Sequence, residues 1–514
     1  MNRDLEATWA YHNGTKHSSR SVRSKPHYLD WKNQPLPFKV YTTLKPISLP
    51  RDVSGSDYPA LKAISSVGTH HDVSRLLDLS VLSQLFYYSG GITRRRKHPG
   101  REILFRAASC TGALYHVDLY LICGALPGLE AGVYQFSVHD FALRRLRPGD
   151  FRGEVIRATA GDTSMAEATA IIVSASTYWR NAWKYQARTY RHCFWDDGTM
   201  LANMLAMAEA HAVPAQLLVG FEDAALSSLL GLDDLREGAL SLVALGRDRS
   251  APPAALPEVQ PLNLETESLS EAEVDYPAIR SMHVASSLTT GEQVAAWRDG
   301  RAPANLPAPA GKVFPLQPLA EAEEPTDAIE QVILRRGSTR EFALEPITFA
   351  QLSTILHTAT RGISADFLDP PGTALNDLYL IVNAVEGLPG GAYVFHREQE
   401  ALELLKEGEF RGEAGFLGLE QALPATASVD VFLLTDLERV LNQFGNRGYR
   451  AAQLEAGIIG GKLYLAAYAQ RLGASGLTFY DDAVTEFFSP HAKGKSVMFL
   501  VALGLSAKRK RTAS

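Results

Sequence analysis

Arginine and serine side chains alternate in one short stretch of the chain, and this spacing suits the binding of a phosphate group. Arg336, Ser338 and Arg340 stand in the sequence Arg-Gly-Ser-Thr-Arg. Two guanidinium groups offer paired donors to phosphate oxygens, and the hydroxyl group adds a third donor. Arginine pairs are also common on protein surfaces, so an ordinary solvated surface is the alternative.

A second candidate is a loop of small and hydroxyl-bearing residues that precedes a predicted strand. It runs from Arg106 through Ser109 and Thr111 to Tyr115 and contains one glycine and three alanines. Small side chains let a planar ligand approach backbone N–H groups closely. We therefore expect Arg106, Ser109 and Thr111 to contact a ligand, with a tight turn that binds nothing as the alternative.

The third candidate is the adjacent pair Lys184 and Tyr185, which could transfer protons. A lysine that is partly removed from water has a lowered pKa and can accept a proton, and a neighbouring tyrosine can donate or relay one. A Lys-Tyr dipeptide carries little information in isolation. It becomes informative only through comparison with a second copy of the same segment.

The chain contains that second copy. Residues 118–154 align without gaps to residues 377–413 at an offset of 259, and 19 of the 37 positions are identical. The same offset pairs Arg188, Tyr190 and Arg191 with Arg447, Tyr449 and Arg450, and Asp223 with Asp482. The sequence therefore predicts a duplicated domain.

Residues that only one copy retains are the best candidates for chemistry. The second copy alone has Arg336 and Arg340, because the first copy reads Gly-Thr-His-His-Asp at 68–72. The first copy alone has the Ser109 loop, which is replaced by a stretch with two prolines at 365–372, and it alone has Lys184 and Tyr185, which are replaced by Gln443 and Phe444. Residues common to both copies, such as the arginines after Tyr185, are predicted to be scaffold.

Five segments follow from this comparison. We predict an N-terminal extension over 1–60, a first domain over 61–247, a connector rich in Pro, Ala and Glu over 248–326, a second domain over 327–505, and a basic tail over 506–514. The connector is predicted to lie on the surface with at most short helices, and the charged tail to be solvated, with a phosphate contact as the alternative.

The elements of the two copies are predicted to match. Short β-branched and aromatic runs predict strands at 118–123, 133–136, 240–245 and their counterparts 377–382, 392–395 and 497–503, and apolar positions at helical spacing predict buried helices at 197–212 and 456–471. The fold class is therefore α+β, with helices packed around an antiparallel or mixed sheet.

Composition excludes several classes of protein. The 514 residues carry a formal net charge of −6, which argues against general binding of nucleic acid. We find no apolar run long enough to span a membrane and no apolar core of a signal peptide near the N-terminus, so we expect a cytoplasmic protein. The three cysteines and the scattered histidines, including His70, His116 and His192, lack the spacing of a metal site.

Arg94 to His98, an insertion in the first copy, is predicted to be a solvated loop, with a contact to an acidic segment of a peptide as the alternative.

Motifs along nearly the whole chain resemble those of tandem nitroreductase-fold flavoproteins of the SagB type, the dehydrogenases that turn azolines into azoles in ribosomally made peptides. The resemblance includes the extension from Tyr11 to His17, the loop from Arg106 to Tyr115, the pair Lys184-Tyr185 with the arginines that follow it, and the stretch from Arg336 to Arg340. The run Leu-Gly-Ala-Ser-Gly-Leu at 472–477 resembles the segment that lines a flavin ring, which implicates Gly476 and Leu477.

This resemblance implies one FMN site shared by two domains that pack as an intramolecular pseudo-dimer. The cofactor-binding residues would be Arg336, Ser338, Arg340, Arg106, Ser109, Thr111, Gly476 and Leu477. The pseudo-symmetric counterpart, between the His70 region and the loop with Pro370 and Pro371, would stay empty.

It also implies that Lys184 or Tyr185 removes a ring proton while hydride passes to flavin N5, with dioxygen as the final electron acceptor. The substrate would be a modified precursor peptide and a cyclodehydratase a partner, with the chain acting as a monomer or a homodimer. We keep two alternatives. One is an FMN-dependent NAD(P)H reductase of nitro compounds or quinones, and the other is a flavin-free scaffold that docks the peptide to a cyclising enzyme.

Overall fold

The computed structural model describes most of the chain, and the two copies form two similar halves. The described residues are 2–24, 27–51, 55–68, 77–98, 101–247, 256–300, 306–369 and 372–507. His70, the two prolines at 370 and 371, and the basic tail from residue 508 onward lie outside them. Among the described residues, no helix combines the length and apolar character needed to cross a membrane.

An antiparallel sheet forms the centre of the first half. Its elements are α1 (Glu6–Gly14), α2 (Ser19–Ser24), β1 (Pro46–Ser48), α3 (Ala60–Ser65), α4 (Leu79–Gly90), β2 (Ile92–His98), β3 (Arg101–Arg106), β4 (Val117–Cys123), β5 (Gly132–Ser137), β6 (Ala142–Pro148), α5 (Arg152–Ala158), α6 (Thr163–Glu167), β7 (Ala170–Thr177), α7 (Tyr178–Tyr185), α8 (Thr189–Ala210), β8 (Ala215–Leu218), α9 (Asp223–Leu230) and β9 (Glu237–Leu245). Within the described chain the strand order is β1-β6-β5-β4-β7-β9-β8.

The second half repeats this plan. Its elements are α10 (Pro277–Ala285), α11 (Gly291–Arg298), β10 (Lys312–Pro315), α12 (Ile329–Arg335), β11 (Ile347–Thr348), α13 (Phe349–Ala359), β12 (Asn376–Val382), β13 (Val385–Glu386), β14 (Gly391–His396), β15 (Ala401–Glu407), α14 (Arg411–Leu417), α15 (Ala422–Thr426), β16 (Val429–Thr435), α16 (Leu437–Phe444), α17 (Arg447–Ala469), β17 (Gly473–Leu477), α18 (Asp481–Phe487) and β18 (Ser496–Gly504). The second sheet has the order β10-β15-β14-β12-β16-β18-β17 in the part of the chain that is described. The α+β prediction with two tandem antiparallel domains is confirmed.

The long helices α8 and α17 cross at Gly198 and Gly457, which stand at equivalent positions of the two copies at the offset of 259. A Cβ atom placed on Gly198 would lie 2.6 Å from the carbonyl carbon of Gly457, and one on Gly457 would lie 2.7 Å from the backbone oxygen of Trp195. Only glycine permits this approach of two backbones. Both helices are buried on almost every face, which explains why each begins eight or nine residues before the predicted start.

Buried ion pairs join the two halves with the same pseudo-symmetry. Asp223 accepts hydrogen bonds from Arg447 and Arg450 of the second half, at 2.5 and 2.6 Å. Asp481 accepts them from Arg188 and Arg191 of the first half, at 3.1 and 2.6 Å. The alignment of Asp223 with Asp482 at the fixed offset was therefore wrong by one residue. Asp481 is the structural equivalent of Asp223, whereas Asp482 forms an ion pair with Lys16 near the surface. These arginines are scaffold that holds the two halves together.

The extension and the connector are more integrated than the sequence suggested. β1, from the extension, pairs with β6, and β10, from the connector, pairs with β15, so each forms an edge strand of one sheet. The connector helices α10 and α11 bury Ile279, Met282 and Trp297. The prediction of a surface segment with at most short helices missed this strand and these buried contacts.

The arginine-rich insertion is also not a loop. Residues 92–98 form β2, which pairs antiparallel with β3 as a hairpin. Arg94 to Lys97 are nevertheless exposed, as expected for a solvated segment. Side chains alternate between the two faces of a strand, so Arg94 and Arg96 share one face and Arg95 lies on the other.

Candidate functional site

The three sequence candidates meet in one large cleft between the two halves. The cleft has a volume of about 1810 Å³ and is lined by residues from both copies and from the N-terminal extension. All ten predicted site residues line it: Lys184, Tyr185, Arg336, Ser338, Arg340, Arg106, Ser109, Thr111, Gly476 and Leu477. The fold therefore brings together side chains that are more than 200 positions apart in the sequence.

The wall contributed by the second half carries the arginine-serine motif just after α12. The backbone N–H of Thr339 donates to the carbonyl of Ala474 at 2.9 Å, which fastens the motif to β17. Ser338 Oγ lies 3.3 Å from the hydroxyl oxygen of Tyr464, and Arg340 is exposed, with no ion pair among the described residues. Hydroxyl and guanidinium donors thus face one volume, as a phosphate would require.

Arg336 links the two halves. Its Nε and Nη2 atoms donate to the carbonyl oxygen of Ala107 at 3.1 and 2.8 Å. No hydrogen bond joins the third nitrogen, Nη1, to a described residue, so this nitrogen can serve a ligand. The motif that only the second copy retains is therefore attached directly to the loop that only the first copy retains.

Asp196, a residue that the sequence analysis did not select, organises the first-half loop. Its Oδ1 atom accepts hydrogen bonds from the backbone N–H and the hydroxyl of Thr111, both at 2.8 Å. Its Oδ2 atom accepts from the thiol of Cys110 at 3.1 Å and lies 2.8 Å from His116 Nε2. Thr111 therefore faces the helix α8 carboxylate, and it shapes the loop by that contact.

Cys110, His116 and Asp196 bring their ligating atoms within 4.8 Å of one another, the only such group among the described residues. The sequence spacing did not predict this grouping. Burial and the charge of Asp196 raise the pKa of the Cys110 thiol. The thiol therefore stays protonated and donates a hydrogen bond to the carboxylate. His116 Nδ1 is also engaged, 2.8 Å from Ser176 Oγ, so hydrogen bonds satisfy the cluster without an ion.

Arg106 and Ser109 take different places in the loop. Two nitrogens of the buried Arg106 guanidinium donate to the carbonyls of Val117 and Pro37. This residue therefore stabilises the start of the loop as well as lining the cleft. The carbonyl oxygen of Ser109 accepts from Thr199 Oγ1 at 2.7 Å. The Ser109 side chain remains half-buried at the cleft surface.

Lys184 and Tyr185 end helix α7 at the cleft. The Lys184 ammonium lies 5.2 Å from the centre of the Tyr185 ring. Burial and the positive charge of Arg340 lower the pKa of Lys184, whereas burial and the negative charge of Asp196 raise the pKa of Tyr185. The surroundings thus favour the unprotonated amine of Lys184 and the protonated hydroxyl group of Tyr185.

Gly112 makes room for that tyrosine. Its φ of +65° lies in the region that favours glycine, and a Cβ atom there would lie 2.8 Å from the Tyr185 hydroxyl oxygen. The Tyr185 ring also packs edge-on against His192, with 4.6 Å between ring centres. Its hydroxyl group is therefore held against the loop that Asp196 organises.

Gly476 and Leu477 lie on β17, the strand at the edge of the second sheet. The backbone N–H of Gly476 donates a short hydrogen bond to the Tyr464 hydroxyl, and a Cβ atom on Gly476 would lie 3.1 Å from Phe499. A larger residue at this position would crowd Phe499. Tyr464, which bonds both Gly476 and Ser338, is a further site residue that sequence reasoning missed, because nothing in its local pattern distinguishes it from a core tyrosine.

These residues fit FMN. Arg336, Ser338 and Arg340 supply donors of the kind that a phosphate dianion needs, and the glycine-lined strand with the loop of small residues suits a planar ring. The volume of about 1810 Å³ exceeds the 300–1,000 Å³ that is usual for a single small ligand, so the cleft has room for FMN.

At the pseudo-symmetric counterpart of this cleft, the described residues leave only a small cavity. The cavity there measures about 20 Å³ and is lined by Ser66, Gly68, Ser364 and Lys462 among others. The backbone N–H of Leu217, the counterpart of Gly476 at the repeat offset, donates to the carbonyl of Ser364 at 3.0 Å. Lys462 fills the space behind and donates to the carbonyl of Gly362 at 2.8 Å. The described part of this region has no room for a flavin.

Comparison with known proteins agrees with this architecture. Residues 333–505 match the model of the nitroreductase family. A solved structure described as a nitroreductase from Anabaena variabilis superimposes with a TM-score of 0.78 and 26% sequence identity, covering 98% of this chain and 99% of the other. The chain has a duplicated nitroreductase fold.

Two further proteins are similar to parts of the chain. A curated protein of Methanocaldococcus jannaschii, also described as a nitroreductase, is 28% identical over 164 residues, which are 31% of this chain and 82% of that protein. A chain of the Escherichia coli microcin synthetase McbBCD complex aligns over 48% of this chain with a TM-score of 0.31 and 16% identity. The second likeness is too weak to bear on function.

Proposed function

We propose that this nitroreductase-fold protein is an FMN-dependent oxidase that dehydrogenates azoline rings to azoles in a ribosomally synthesised precursor peptide. Nitroreductase-family proteins are oxidoreductases and typically use FMN. The observation that carries the finer proposal is the placement of Lys184 and Tyr185, retained in one copy alone, in the same cleft as the phosphate motif of the other copy. Simple two-electron reduction of a nitro compound has no need of this pair.

The two side chains divide the proton chemistry. Removal of a ring proton requires an unprotonated base, and the lowered pKa of Lys184 favours its unprotonated form. The raised pKa of Tyr185 keeps its hydroxyl group protonated. We therefore assign Lys184 as the base and Tyr185 as the donor that orients the ring nitrogen.

Cofactor binding would use residues from both halves. Arg336, Ser338 and Arg340 would hold the phosphate, and Ser109, Gly476 and Leu477 would contact the ring system. Bound FMN supplies the two-electron acceptor of the reaction. Since the described residues leave a cavity of only about 20 Å³ at the counterpart position, we expect one flavin per chain, and dioxygen as the final acceptor.

The first experiment is to purify the protein, release any flavin by heat and quantify it per chain. About one FMN per chain, lost in the double variant Arg336→Ala/Arg340→Ala, would support the composite site. Two flavins per chain would contradict the asymmetry. A colourless protein that FMN does not reconstitute would favour the flavin-free docking scaffold.

The second experiment supplies a thiazoline peptide and measures both flavin bleaching without oxygen and azole formation by mass spectrometry. Lys184→Ala and Tyr185→Phe should abolish azole formation and retain FMN. Gln443→Ala is the matched control, because Gln443 is the exposed counterpart of Lys184 in the second copy. Equal activity of all three variants would contradict the assignment.

The pH dependence separates the two proposed roles. Activity should rise with pH as Lys184 loses its proton. Because the charge of Arg340 lowers the pKa of Lys184, Arg340→Gln should move this rise to higher pH when saturating FMN is supplied. A rise that stays in place would show that another group is the base.

A second candidate is reduction of nitro compounds or quinones by NAD(P)H, favoured by the names of the M. jannaschii and A. variabilis proteins. The same purified protein distinguishes it. Rapid bleaching of the flavin by NADPH, with no bleaching by an azoline peptide, would favour the reductase.

A further inference from the structure

The cleft is much larger than one flavin requires. Its volume is about 1810 Å³, whereas sites for a single small ligand measure about 300–1,000 Å³. Space therefore remains for a substrate larger than a ring alone. This inference rests on the proposed function and concerns the chemistry of that substrate.

Positive charge dominates the lining of the cleft. Ten of the described lining residues are Lys or Arg and two are Asp or Glu, although the whole chain carries a net charge of −6. Several of these cations are already engaged, for example Lys16 with Asp482 and Arg335 with Asp327. An acidic protein that gathers cations in one cleft creates a field that attracts anionic ligands.

The β2–β3 hairpin contributes two of the cations that remain. Arg94 and Arg96 both line the cleft, and neither has an acidic partner in the parts of the chain that are described. Their guanidinium carbons lie 4.9 and 6.0 Å from the centre of the Phe105 ring, so the ring holds both groups on one face of the strand. Arg95, on the other face, is paired with Glu102 at 3.2 Å.

Arg94 lies within electrostatic reach of the phosphate motif. Arg94 is close enough for its charge to lower the pKa of Arg336. Arg96 lies two residues further along the strand, so its Cα atom is about 6.6 Å from that of Arg94 at the usual rise of a β-strand. The hairpin therefore adds a row of positive charge beside the cofactor motif, along a strand that an extended peptide could follow.

We propose that the Arg94–Arg96 face of the hairpin binds carboxylate side chains of the substrate peptide that flank the ring to be oxidised. Arg20 of α2, another exposed cation that lines the cleft and has no acidic partner in the described chain, adds to this field. An arginine held in place by an aromatic ring loses little conformational freedom when it binds a carboxylate. The substrate class is thus an acidic azoline peptide.

The test uses two rhodamine-labelled peptides with the same thiazoline ring, one flanked by Asp and Glu and the other by Asn and Gln. Binding is measured by fluorescence anisotropy and turnover by azole formation, each with FMN-loaded protein at low and at high salt. We expect the acidic peptide to bind about fivefold to tenfold more tightly, as two partly exposed ion pairs allow. Salt should reduce this preference.

Two double variants of one strand provide the comparison. Arg94→Gln/Arg96→Gln should remove the preference for the acidic peptide, whereas Arg95→Gln/Lys97→Gln removes the same charge from the same strand and should retain it. Equal binding of the two peptides, or equal loss in both variants, would overturn the proposal. So would a loss of FMN affinity as large as the loss of peptide affinity, since the hairpin would then belong to the cofactor site.

These outcomes are separable from the proposed function. If the acidic peptide binds in the expected way but neither ring is oxidised, the azoline oxidase proposal fails and the charge preference stands. If both peptides are oxidised with the same kcat/KM and bind equally, the oxidase stands and the inference about substrate charge fails.

Discussion

Replacement of Gly198 by alanine should weaken the contact between the two halves and, through it, the composite site. The added Cβ atom would lie 2.6 Å from two backbone atoms, the carbonyl carbon of Gly457 and the nitrogen of Ile458. Ordinary contact begins near 3.4 Å, so helices α8 and α17 would have to move apart by about 0.8 Å. Backbone atoms of a helix cannot rotate away as a side chain can.

The expected cost follows from two opposing effects. Overpacking of a close contact costs typically about 1–3 kcal/mol, and here the upper end applies because both colliding atoms are backbone. Alanine improves the propensity of the helix by about 1 kcal/mol relative to glycine. The net loss of stability is therefore about 2 kcal/mol. Asp196 lies only two residues before Gly198, so the displacement should also disturb the Thr111 loop.

Urea denaturation followed by tryptophan fluorescence, together with FMN titration, measures both effects. Gly412→Ala is the matched control, because Gly412 is an exposed helical glycine with nothing within 4 Å of an added Cβ, and this change should stabilise slightly. Gly198→Ala should lower the urea midpoint and weaken FMN binding. If Gly198→Ala behaves like Gly412→Ala, the close crossing of the two helices is wrong.

Asp196→Asn removes the charge that accepts hydrogen bonds from Thr111 and Cys110, so FMN affinity should fall and hydrogen exchange in the loop should rise. Unchanged exchange would show that the loop holds its shape without the carboxylate. Gly112→Ala would place a methyl group 2.8 Å from the Tyr185 hydroxyl, so azole formation should drop while FMN content stays near that of the parent protein. Burial and Arg450 lower the pKa of His283 to about 3. The free energy of unfolding should therefore decrease as pH falls below about 6.5, because His283 binds a proton in the unfolded chain and not in the folded chain. The decrease should amount to at most about 1.4 kcal/mol per pH unit. His283→Gln should make this decrease less steep in urea titrations between pH 7 and pH 5, and an identical slope would contradict the buried neutral histidine.

Much of the fold was readable from the amino-acid sequence because it depends on local pattern. The repeat at an offset of 259 predicted two similar domains, and period-two and helical patterns predicted the strands around residues 118–123 and 377–382 and the long buried helices. Comparison of the two copies also selected Lys184, Tyr185 and the Arg336 motif, since a difference between repeats is visible without any structure.

Only the tertiary structure decided how these pieces meet. The role of Asp196 depends on helix α8 passing beside a loop 85 residues earlier in the chain, and the closure of the second cavity depends on Leu217 pairing with the chain near Ser364. The arginine insertion folds as a hairpin because its cross-strand pairing and its packing on Phe105 outweigh the polarity that predicted a loop. Local sequence determines which elements form, whereas contacts between distant residues determine which side chains share one cleft.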